Sequence, residues 1–300
     1  MVKLMNRAIR NICLLLLFVV PLFVCSTLTA GSLGDAAPEL QVNEWIKEGP
    51  IRLEEGKGEK IYVIEFWLTE CPHCLESLPY LSILQEQYKK NGVIFIGITV
   101  EDPATVRAFL KKNQDIEYAV AVDDEEKTYD SYMGAFGISG VPHTFVVGRQ
   151  GRILWEGHPM DNLDEVLQRI VIGRYDLNEA INVSRGRKLL GVYKYLSIET
   201  DEEAISRQVG NRIVEYSENN AALLDKLARF IITNRNIRQP DFDLAYRAAK
   251  RACDVTGETD RAALEVYAGV LQRTGEAEKS RVYWKKAESL SSRDESEGTK

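Results

Sequence analysis

The first half of the chain alternates short apolar runs with amphipathic stretches. The runs "IYVIEFW" at 61–67 and "GVIFIGITV" at 92–100 are rich in β-branched and aromatic residues, which is typical of strands covered on both faces. Apolar residues recur at helical spacing between them, and "DPATVRAFLKKN" predicts a second helix with Asp102 as its N-cap. This order of strand, helix, strand and helix predicts a parallel pair of strands with crossover helices.

Three further segments complete the first predicted domain. The run "YAVAVD" predicts a short strand, and "EEKTYDSYMGAF" predicts a helix. The stretch "HTFVVGRQGRILWEG" predicts a hairpin, because two strand-like runs flank a turn that contains Gly148 and Gly151. The apolar positions from Leu163 to Val171 indicate a closing amphipathic helix. The pattern therefore predicts an α/β domain over residues 36–173, with a central sheet flanked by helices.

The second half of the chain carries helical periodicity without strand signals from Arg174 onward. The segment "TDEE" at 200–203 has the form of a capping box before another amphipathic helix. The apolar pattern of residues 224–231 returns at 264–271, where the flanking small and aromatic residues resemble a tetratricopeptide repeat. The sequence therefore predicts an all-α domain after the α/β domain.

We expect this all-α, tetratricopeptide-like (TPR-like) domain over residues 180–290. About three repeats are needed to bury a continuous core, so residues 180–218 are expected to supply a further helical pair. An ordinary helical bundle is the alternative. The polar tail from 291 to 300 is expected to be disordered.

The beginning of the chain has the pattern of a targeting segment. Lys3, Arg7 and Arg10 precede the run "NICLLLLFVVPLFVC", and no acidic residue occurs before Asp35. A positive region followed by an apolar region predicts a signal peptide or an N-terminal membrane anchor over residues 1–30. The protein is therefore expected to be exported, in a periplasmic or other extracytoplasmic location.

Composition narrows the classes of partner. The chain has 38 basic and 45 acidic residues, with a net charge of -7, and it contains no basic stripe with interleaved aromatic residues. Nucleic acid is therefore not an expected partner. With 45% apolar residues in 300, the chain needs no disulfide for a stable core.

Three of the five cysteines lie outside the predicted leader, and two of them, Cys71 and Cys74, are a close pair. Cys253 lies on a predicted helix and is expected to be a buried core thiol. One such pair supplies only half of a four-ligand zinc site, and bridging residues three apart stabilises little. A copper site formed with His143 remains a minor alternative. No cofactor is expected.

A redox disulfide explains the pair best. Cys71 lies where a predicted strand ends and a helix begins, and the unpaired N–H groups of a helix N-terminus favour a thiolate. A protonated His73 would add positive charge at the same place. We therefore expect Cys71 to be the attacking sulfur and Cys74 the resolving one. Disulfides persist in an oxidising compartment, so a close thiol pair in an exported protein can be redox-active.

The segments "EFWLTECPHC" and "GISGVPHTFVV" together resemble the thioredoxin superfamily. The resemblance implies a thioredoxin-like fold with a mixed sheet, and a cis proline at Pro142 facing the disulfide. It also implies that Val141 pairs with the backbone of a substrate. Glu65 takes the place of a buried acid that helps to move a proton to or from the second cysteine.

Within the superfamily, the leader and "GVPHTFVVGRQGRILWEG" resemble the TlpA/ResA branch of exported reductases. Two positions depart from that branch: Glu70 stands where a tryptophan is usual, and Ser77 stands where ResA-like reductases carry an acid. The dipeptide Pro72-His73 is the one found in a strongly oxidising periplasmic oxidase. The domain thus resembles a reductase and the dipeptide an oxidase, and we favour the reductase.

The leading hypothesis is a thiol-disulfide oxidoreductase that acts on cysteines of exported proteins and exchanges electrons with a membrane-linked donor or acceptor. The alternative is an interaction scaffold, in which the TPR-like domain binds a protein partner and the thioredoxin-like domain acts as a redox switch or tether. A peroxidase is a weaker alternative, because no Thr-x-x-Cys arrangement around the pair supports a peroxidatic cysteine.

Overall fold

We analysed a computed structural model that describes residues 31–297, with side chains as far as Leu290. The predicted leader over residues 1–30 lies outside the described residues. Within them, no helix has both the length and the apolar character needed to cross a membrane.

The first domain contains a six-stranded mixed sheet. The strands lie in the order β1-β4-β3-β2-β5-β6, with β2, β3 and β4 parallel and the other three antiparallel to their neighbours. The parallel strands confirm the predicted crossover order, and β5 and β6 form the predicted hairpin. The strand bounds are Val42–Lys47 (β1), Ile61–Phe66 (β2), Val93–Thr99 (β3), Ala119–Asp123 (β4), His143–Val147 (β5) and Ile153–Gly157 (β6).

Four helices flank this sheet, and the third continues as a π-helical turn over Asp130–Gly134. The second begins at the predicted cap, because the Asp102 carboxylate accepts the backbone N–H groups of Ala104 and Thr105. The helix bounds are Pro72–Tyr88 (α1), Pro103–Lys112 (α2), Lys127–Tyr129 (α3) and Leu163–Val171 (α4). The sheet and its helices confirm the predicted α/β class.

The strand β2 is the centre of the domain, and all six of its residues are buried. Ile61 and Val63 pack with α1 in one apolar cluster, whereas Tyr62 and Ile64 pack on the opposite face. The alternation continues along the strand, so Glu65 faces α1. The prediction of a strand covered on both faces is therefore confirmed.

The structure departs from the sequence prediction in the segment before β2. The sequence predicts no strand there, but Val42–Lys47 forms the edge strand β1, antiparallel to β4. Five of its six residues are only half-buried and the pairing is interrupted by register shifts. An edge strand with such a pattern lacks the apolar alternation by which strands are recognised.

The second domain consists of six helices in three consecutive pairs. Its bounds are Leu177–Glu199 (α5), Glu203–Tyr216 (α6), Ala221–Thr233 (α7), Phe242–Val255 (α8), Arg261–Arg273 (α9) and Ala277–Glu297 (α10). The pairs α5/α6, α7/α8 and α9/α10 share one apolar cluster, distinct from those of the sheet domain. The predicted all-α domain and its additional helical pair at α5 and α6 are thus present.

Small residues allow the last two helices to approach closely. Ala268 of α9 and Ala287 of α10 are both buried, and the Ser280 hydroxyl donates to the carbonyl of Ala268 at 2.8 Å. Cys253 of α8 is buried in the same domain, as predicted. Burial and nearby carboxylates raise the pKa of its thiol to about 12.

Two predictions in the helical domain were wrong in detail. No capping box forms at 200–203: α6 begins at Glu203, and the Thr200 hydroxyl instead donates to the Leu196 carbonyl at the end of α5. The segment predicted to be disordered from 291 continues α10 as far as Glu297. It contains no glycine or proline before Gly298, so nothing in its sequence ends the helix earlier.

Candidate active site

The cysteine pair lies at the junction of β2 and α1. Cys71 is the N-cap of α1, and its sulfur accepts the backbone N–H of Cys74 at 3.2 Å. Pro72 occupies the first helical position, where its missing N–H costs no hydrogen bond. Cys71 and Cys74 form a disulfide, in which the Cys74 side chain is fully buried and Cys71 is partly exposed. A substrate can therefore reach only the outer sulfur.

The loop before β5 brings a second part of the chain to this disulfide. His143, the first residue of β5, pairs with Phe66 at the end of β2. The Val141–Pro142 peptide bond is cis, as the thioredoxin resemblance implies. The Val141 carbonyl oxygen lies 3.6 Å from the Cys71 sulfur. Val141 thus lies beside the Cys71 sulfur, although the two residues are 70 positions apart in the chain.

Glu65 is buried directly behind the disulfide, with 1% of its surface exposed. Burial raises the pKa of its carboxyl to about 8, against the effect of hydrogen bonds from Thr144 and Ser77. At neutral pH the carboxyl is therefore mostly protonated. Its neighbours on the same face of the sheet include Cys74, which packs in the cluster that Glu65 faces.

Ser77 connects Glu65 with the turn that carries Cys74. Its hydroxyl oxygen is 2.9 Å from the Cys74 carbonyl and 3.4 Å from the Glu65 carboxyl. A hydroxyl has only one proton to donate, and the shorter contact is to the carbonyl. When Glu65 is ionised, the Ser77 hydroxyl can donate to its carboxylate instead, so Ser77 links the acid with the Cys74 turn.

Two buried polar groups beside Glu65 have no hydrogen-bond partner among the residues described. They are the Tyr118 hydroxyl and the Trp67 indole N–H. Both rings approach Gly97, the residue of β3 that pairs with Glu65, and a Cβ at Gly97 would meet them at 3.3 and 2.9 Å. Burial, and then the charge of Glu65, raise the pKa of Tyr118 well above its ordinary value. The acid therefore lies in a small polar region enclosed by the apolar core.

A further acid organises the loop that leads into Cys71. The Glu101 carboxylate accepts the Thr69 backbone N–H at 2.8 Å and the Thr69 hydroxyl at 2.7 Å. It also accepts the Thr99 hydroxyl at 3.1 Å. Sequence reasoning missed Glu101, although one signal was available: β2 and β3 were predicted to be parallel, so their carboxyl ends lie side by side.

The charged residues predicted to tune the pair lie on its solvent side. His73 points outward, with its Nδ1 atom 3.6 Å from a Glu76 oxygen and both side chains about three-quarters exposed. Glu70, directly before Cys71, is also exposed. Both residues are at the site, but His73 has an acidic neighbour that the sequence prediction did not include.

The structure does not support the copper alternative. The His143 Nε2 atom lies 3.0 Å from a Glu156 oxygen, in a half-buried pair beside Pro142. The described part of the chain contains no group of three or more histidine, cysteine, aspartate or glutamate side chains that could hold a metal ion.

With the sheet, the disulfide and the cis proline in place, the first domain is a thioredoxin-like domain. Residues 33–156 match the AhpC/TSA family. The thiol-disulfide oxidoreductase ResA of Bacillus thuringiensis subsp. konkukian (strain 97-27) is 26% identical over 141 residues, which cover 46% of this chain and 78% of that protein. FixW of Rhizobium leguminosarum is 28% identical over 153 residues, 48% of this chain and 68% of that protein. The resemblance to the ResA-like branch is confirmed for this domain.

Two solved structures align with about half of the chain. A thiol-disulfide isomerase from Corynebacterium glutamicum aligns with a TM-score of 0.39 and 25% identity, covering 47% of this chain and 97% of that structure. The thioredoxin domain of a thiol-disulfide oxidoreductase from Bacteroides vulgatus aligns with a TM-score of 0.42 and 20% identity, covering 47% and 99%.

Proposed function

We propose that the protein is a thiol-disulfide oxidoreductase that acts on cysteines of exported proteins. The observation that carries this proposal is the Cys71–Cys74 disulfide, with one sulfur reachable beside Val141 and the other buried next to an acid. The relatives named ResA support the same chemistry. In this proposal electrons are exchanged with a membrane-linked donor or acceptor, and the leader expected from the sequence supports a reaction outside the cytoplasm.

The reaction proceeds through a mixed disulfide. In the reductase direction, the Cys71 thiolate attacks a substrate disulfide, forms a bond to one substrate sulfur and releases the other as a thiolate. The Cys74 thiolate then attacks the Cys71 sulfur and releases the second substrate sulfur. The substrate disulfide is reduced by two electrons and the protein pair is oxidised. Glu65 accepts the Cys74 proton, and Val141 and Pro142 align the substrate backbone.

Cys74→Ser in the full-length protein tests this sequence of steps. Without the resolving thiol, substrate proteins should remain bound to Cys71 as complexes that dithiothreitol releases. Cys71→Ser is the matched control, because it keeps a buried thiol but removes the attacking sulfur, and it should trap nothing. Equal trapping by both variants, or none by Cys74→Ser, would contradict the proposal.

We propose the reductase direction because negative charge surrounds Cys71. Glu70 is its neighbour in sequence, and Glu76 lies beside His73, so the thiolate gains less from a protonated histidine. A less stabilised thiolate makes the reduced form less stable and the pair a better electron donor. The opposing influence is the N-terminus of α1.

The reduction potential, measured by equilibration with glutathione, tests the direction. We expect a value near about -270 mV or below, where thioredoxin lies. A value between about -120 and -180 mV, the range of DsbA and protein disulfide isomerase, would reverse the proposed direction without affecting the disulfide chemistry.

The interaction scaffold remains a second candidate, because the three helix pairs form a domain with its own core. We propose that this TPR-like domain binds a protein partner alongside catalysis. A Cys71→Ser, Cys74→Ser double variant separates the two functions in cells. If cells with this variant as the sole copy behave as wild type, binding rather than redox chemistry is the main function.

A further inference from the structure

A mostly apolar groove of about 240 Å³ opens beside the disulfide. Its walls come from the ends of β2 and β3, from α3 with the turn before it, and from the loop before Pro142, and they include Leu68, Val100 and Tyr129. Val141 lines the same groove, and its carbonyl contacts Cys71. A substrate side chain close to the reacting cysteine would therefore lie against these walls.

One acidic residue, Glu126, lines this mostly apolar groove, together with the neutral polar residues Thr99 and Ser139. Glu125 and Glu126 both lie in the left-handed region, with φ of 51° and 62°, which glutamate rarely adopts. The turn is held in place by the Asp123 carboxylate, which accepts the backbone N–H groups of Thr128 and Tyr129 at 2.9 and 2.7 Å. Strained residues held in this way are a reason to look for a function.

The Glu126 carboxylate has no ion-pair partner among the residues that the structure describes. The adjacent Lys127 pairs instead with Asp124 and with Glu125, at 2.6 and 3.4 Å. The groove thus combines an apolar wall with an exposed, unpaired negative charge.

The thioredoxin-like domain as a whole is also negatively charged, and its charges are unevenly distributed over the sheet. Residues 31–173 contain 24 acidic and 13 basic residues, a net charge of -11. The basic residues Lys60, Lys89, Lys90 and Arg149 lie where β2 and β3 begin, the opposite end of the sheet from Cys71. Beyond the carboxyl ends of β2, β3 and β4, acidic residues outnumber basic ones: Glu70, Glu101, Asp124, Glu125 and Glu126 lie there with one basic residue, Lys127.

We propose that this groove binds the side chain of a lysine or arginine near the reacting cysteine of the substrate. The aliphatic stem would lie on Leu68, Val100 and Tyr129, and the cationic end would meet Glu126. In an extended substrate strand, side chains two residues apart project to the same side, about 7 Å from each other. The basic residue is therefore two positions from the cysteine. This inference rests on the proposed oxidoreductase function and names its preferred substrates.

Single-cysteine peptides test the preference. Each peptide carries its cysteine as a mixed disulfide with 2-nitro-5-thiobenzoate, and reduced full-length protein attacks the peptide sulfur and releases the coloured thiolate. Cys74 then displaces the peptide thiol, so one disulfide is reduced and the Cys71–Cys74 pair is oxidised. Two peptide sets place lysine, norleucine or glutamate two positions before or after the cysteine. Norleucine keeps the stem without the charge.

We expect lysine to react about three to five times faster than norleucine at low ionic strength in one of the two sets, and glutamate to react slowest. Glu126→Gln should reduce the lysine-to-norleucine ratio to about one. Glu125→Gln is the matched control, because it removes the same charge from the same turn but does not line the groove. It should preserve the ratio.

The outcomes separate this inference from the proposed function. Equal rates for lysine and norleucine in both sets overturn the groove assignment, while exchange itself still supports the oxidoreductase. Equal effects of Glu125→Gln and Glu126→Gln also overturn it, because they show long-range attraction without a subsite. If no peptide exchanges at all, the proposed function fails together with the inference.

Discussion

Glu65 is buried beside the turn that carries the resolving cysteine, and this burial makes its ionised form costly. A buried carboxyl without a charged partner is retained at a cost to stability, because its ionised form is disfavoured in the core. The hydrogen bonds from Thr144 and Ser77 reduce that cost without removing it. A pKa of about 8 makes the carboxyl a suitable acceptor for a thiol proton near neutral pH.

Glu65→Gln should slow the resolving step by about 100-fold, because the amide cannot accept the Cys74 proton. In wild type the rate should rise with pH through about 8, since only the ionised carboxylate is a base. The variant should lose this limb of the profile. Stopped-flow measurement of mixed-disulfide resolution against pH provides the test.

Glu76→Gln is the control for this variant. It removes an exposed carboxylate beside His73, and it should retain the limb near pH 8. A limb that persists in Glu65→Gln would assign the titration to another group and remove Glu65 from the proposed proton path.

At the level of secondary-structure elements, strands and helices were predicted correctly where the pattern of apolar residues within the element itself identifies it. The strands β2 to β6 and the helices with strong apolar periodicity were all predicted, because each repeats a local rule over several residues. The edge strand β1 was missed because five of its six residues are half-buried, so no apolar alternation marks it as a strand. The capping box was misplaced because Thr200 has an alternative acceptor in the preceding helix.

The candidate site could be predicted only in part, for a related reason. Cys71 and Cys74 are recognisable from their spacing, and the resemblance to thioredoxins supplied Glu65 and Pro142. The Thr144 hydroxyl, 79 positions from Glu65 in the chain, and Tyr118 carry no local signal. Their proximity to Glu65 follows from how the strands pair, which only the folded chain defines.

The close contact of α9 with α10 provides a test of the helical domain. Ala268→Leu would insert a larger side chain where Ser280 bonds to the backbone, and such overpacking typically costs about 1–3 kcal/mol. Urea unfolding should report this loss. Ala262→Leu, at an exposed position on the same helix, should change stability by less than about 0.5 kcal/mol. Equal stability of the two variants would show that the contact is not tightly packed.

At the scale of the whole molecule, the two domains share an interface along α5. Leu177 and Ile181 of this helix pack on the apolar cluster that contains Tyr62 and Ile64, on the face of the sheet opposite α1. The Tyr175 hydroxyl donates to the Leu154 carbonyl at 2.7 Å, and Arg169 lies 3.6 Å from Glu179. The domains are therefore joined by buried apolar contacts as well as by the chain itself.

Tyr175→Phe should weaken this interface by about 1 kcal/mol, because it removes the hydrogen bond to the partly buried Leu154 carbonyl. Hydrogen exchange should become faster in α5 and β6, while the rate of exchange between Cys71 and a small disulfide stays unchanged. Tyr195→Phe, at an exposed position of α5, should alter neither quantity. A slower disulfide exchange in Tyr175→Phe would indicate that the interface also supports the active site.

The same interface has a kinetic consequence. Lys188 of α5 lies over the ring of Phe136, just before the loop that ends at Pro142. If a protein partner binds the helical domain as proposed, it is tethered to the same molecule as the disulfide and meets Cys71 as in an intramolecular reaction. Short tethers of this kind give effective concentrations in the millimolar range. A weakly binding client could then be processed faster than its concentration in solution allows.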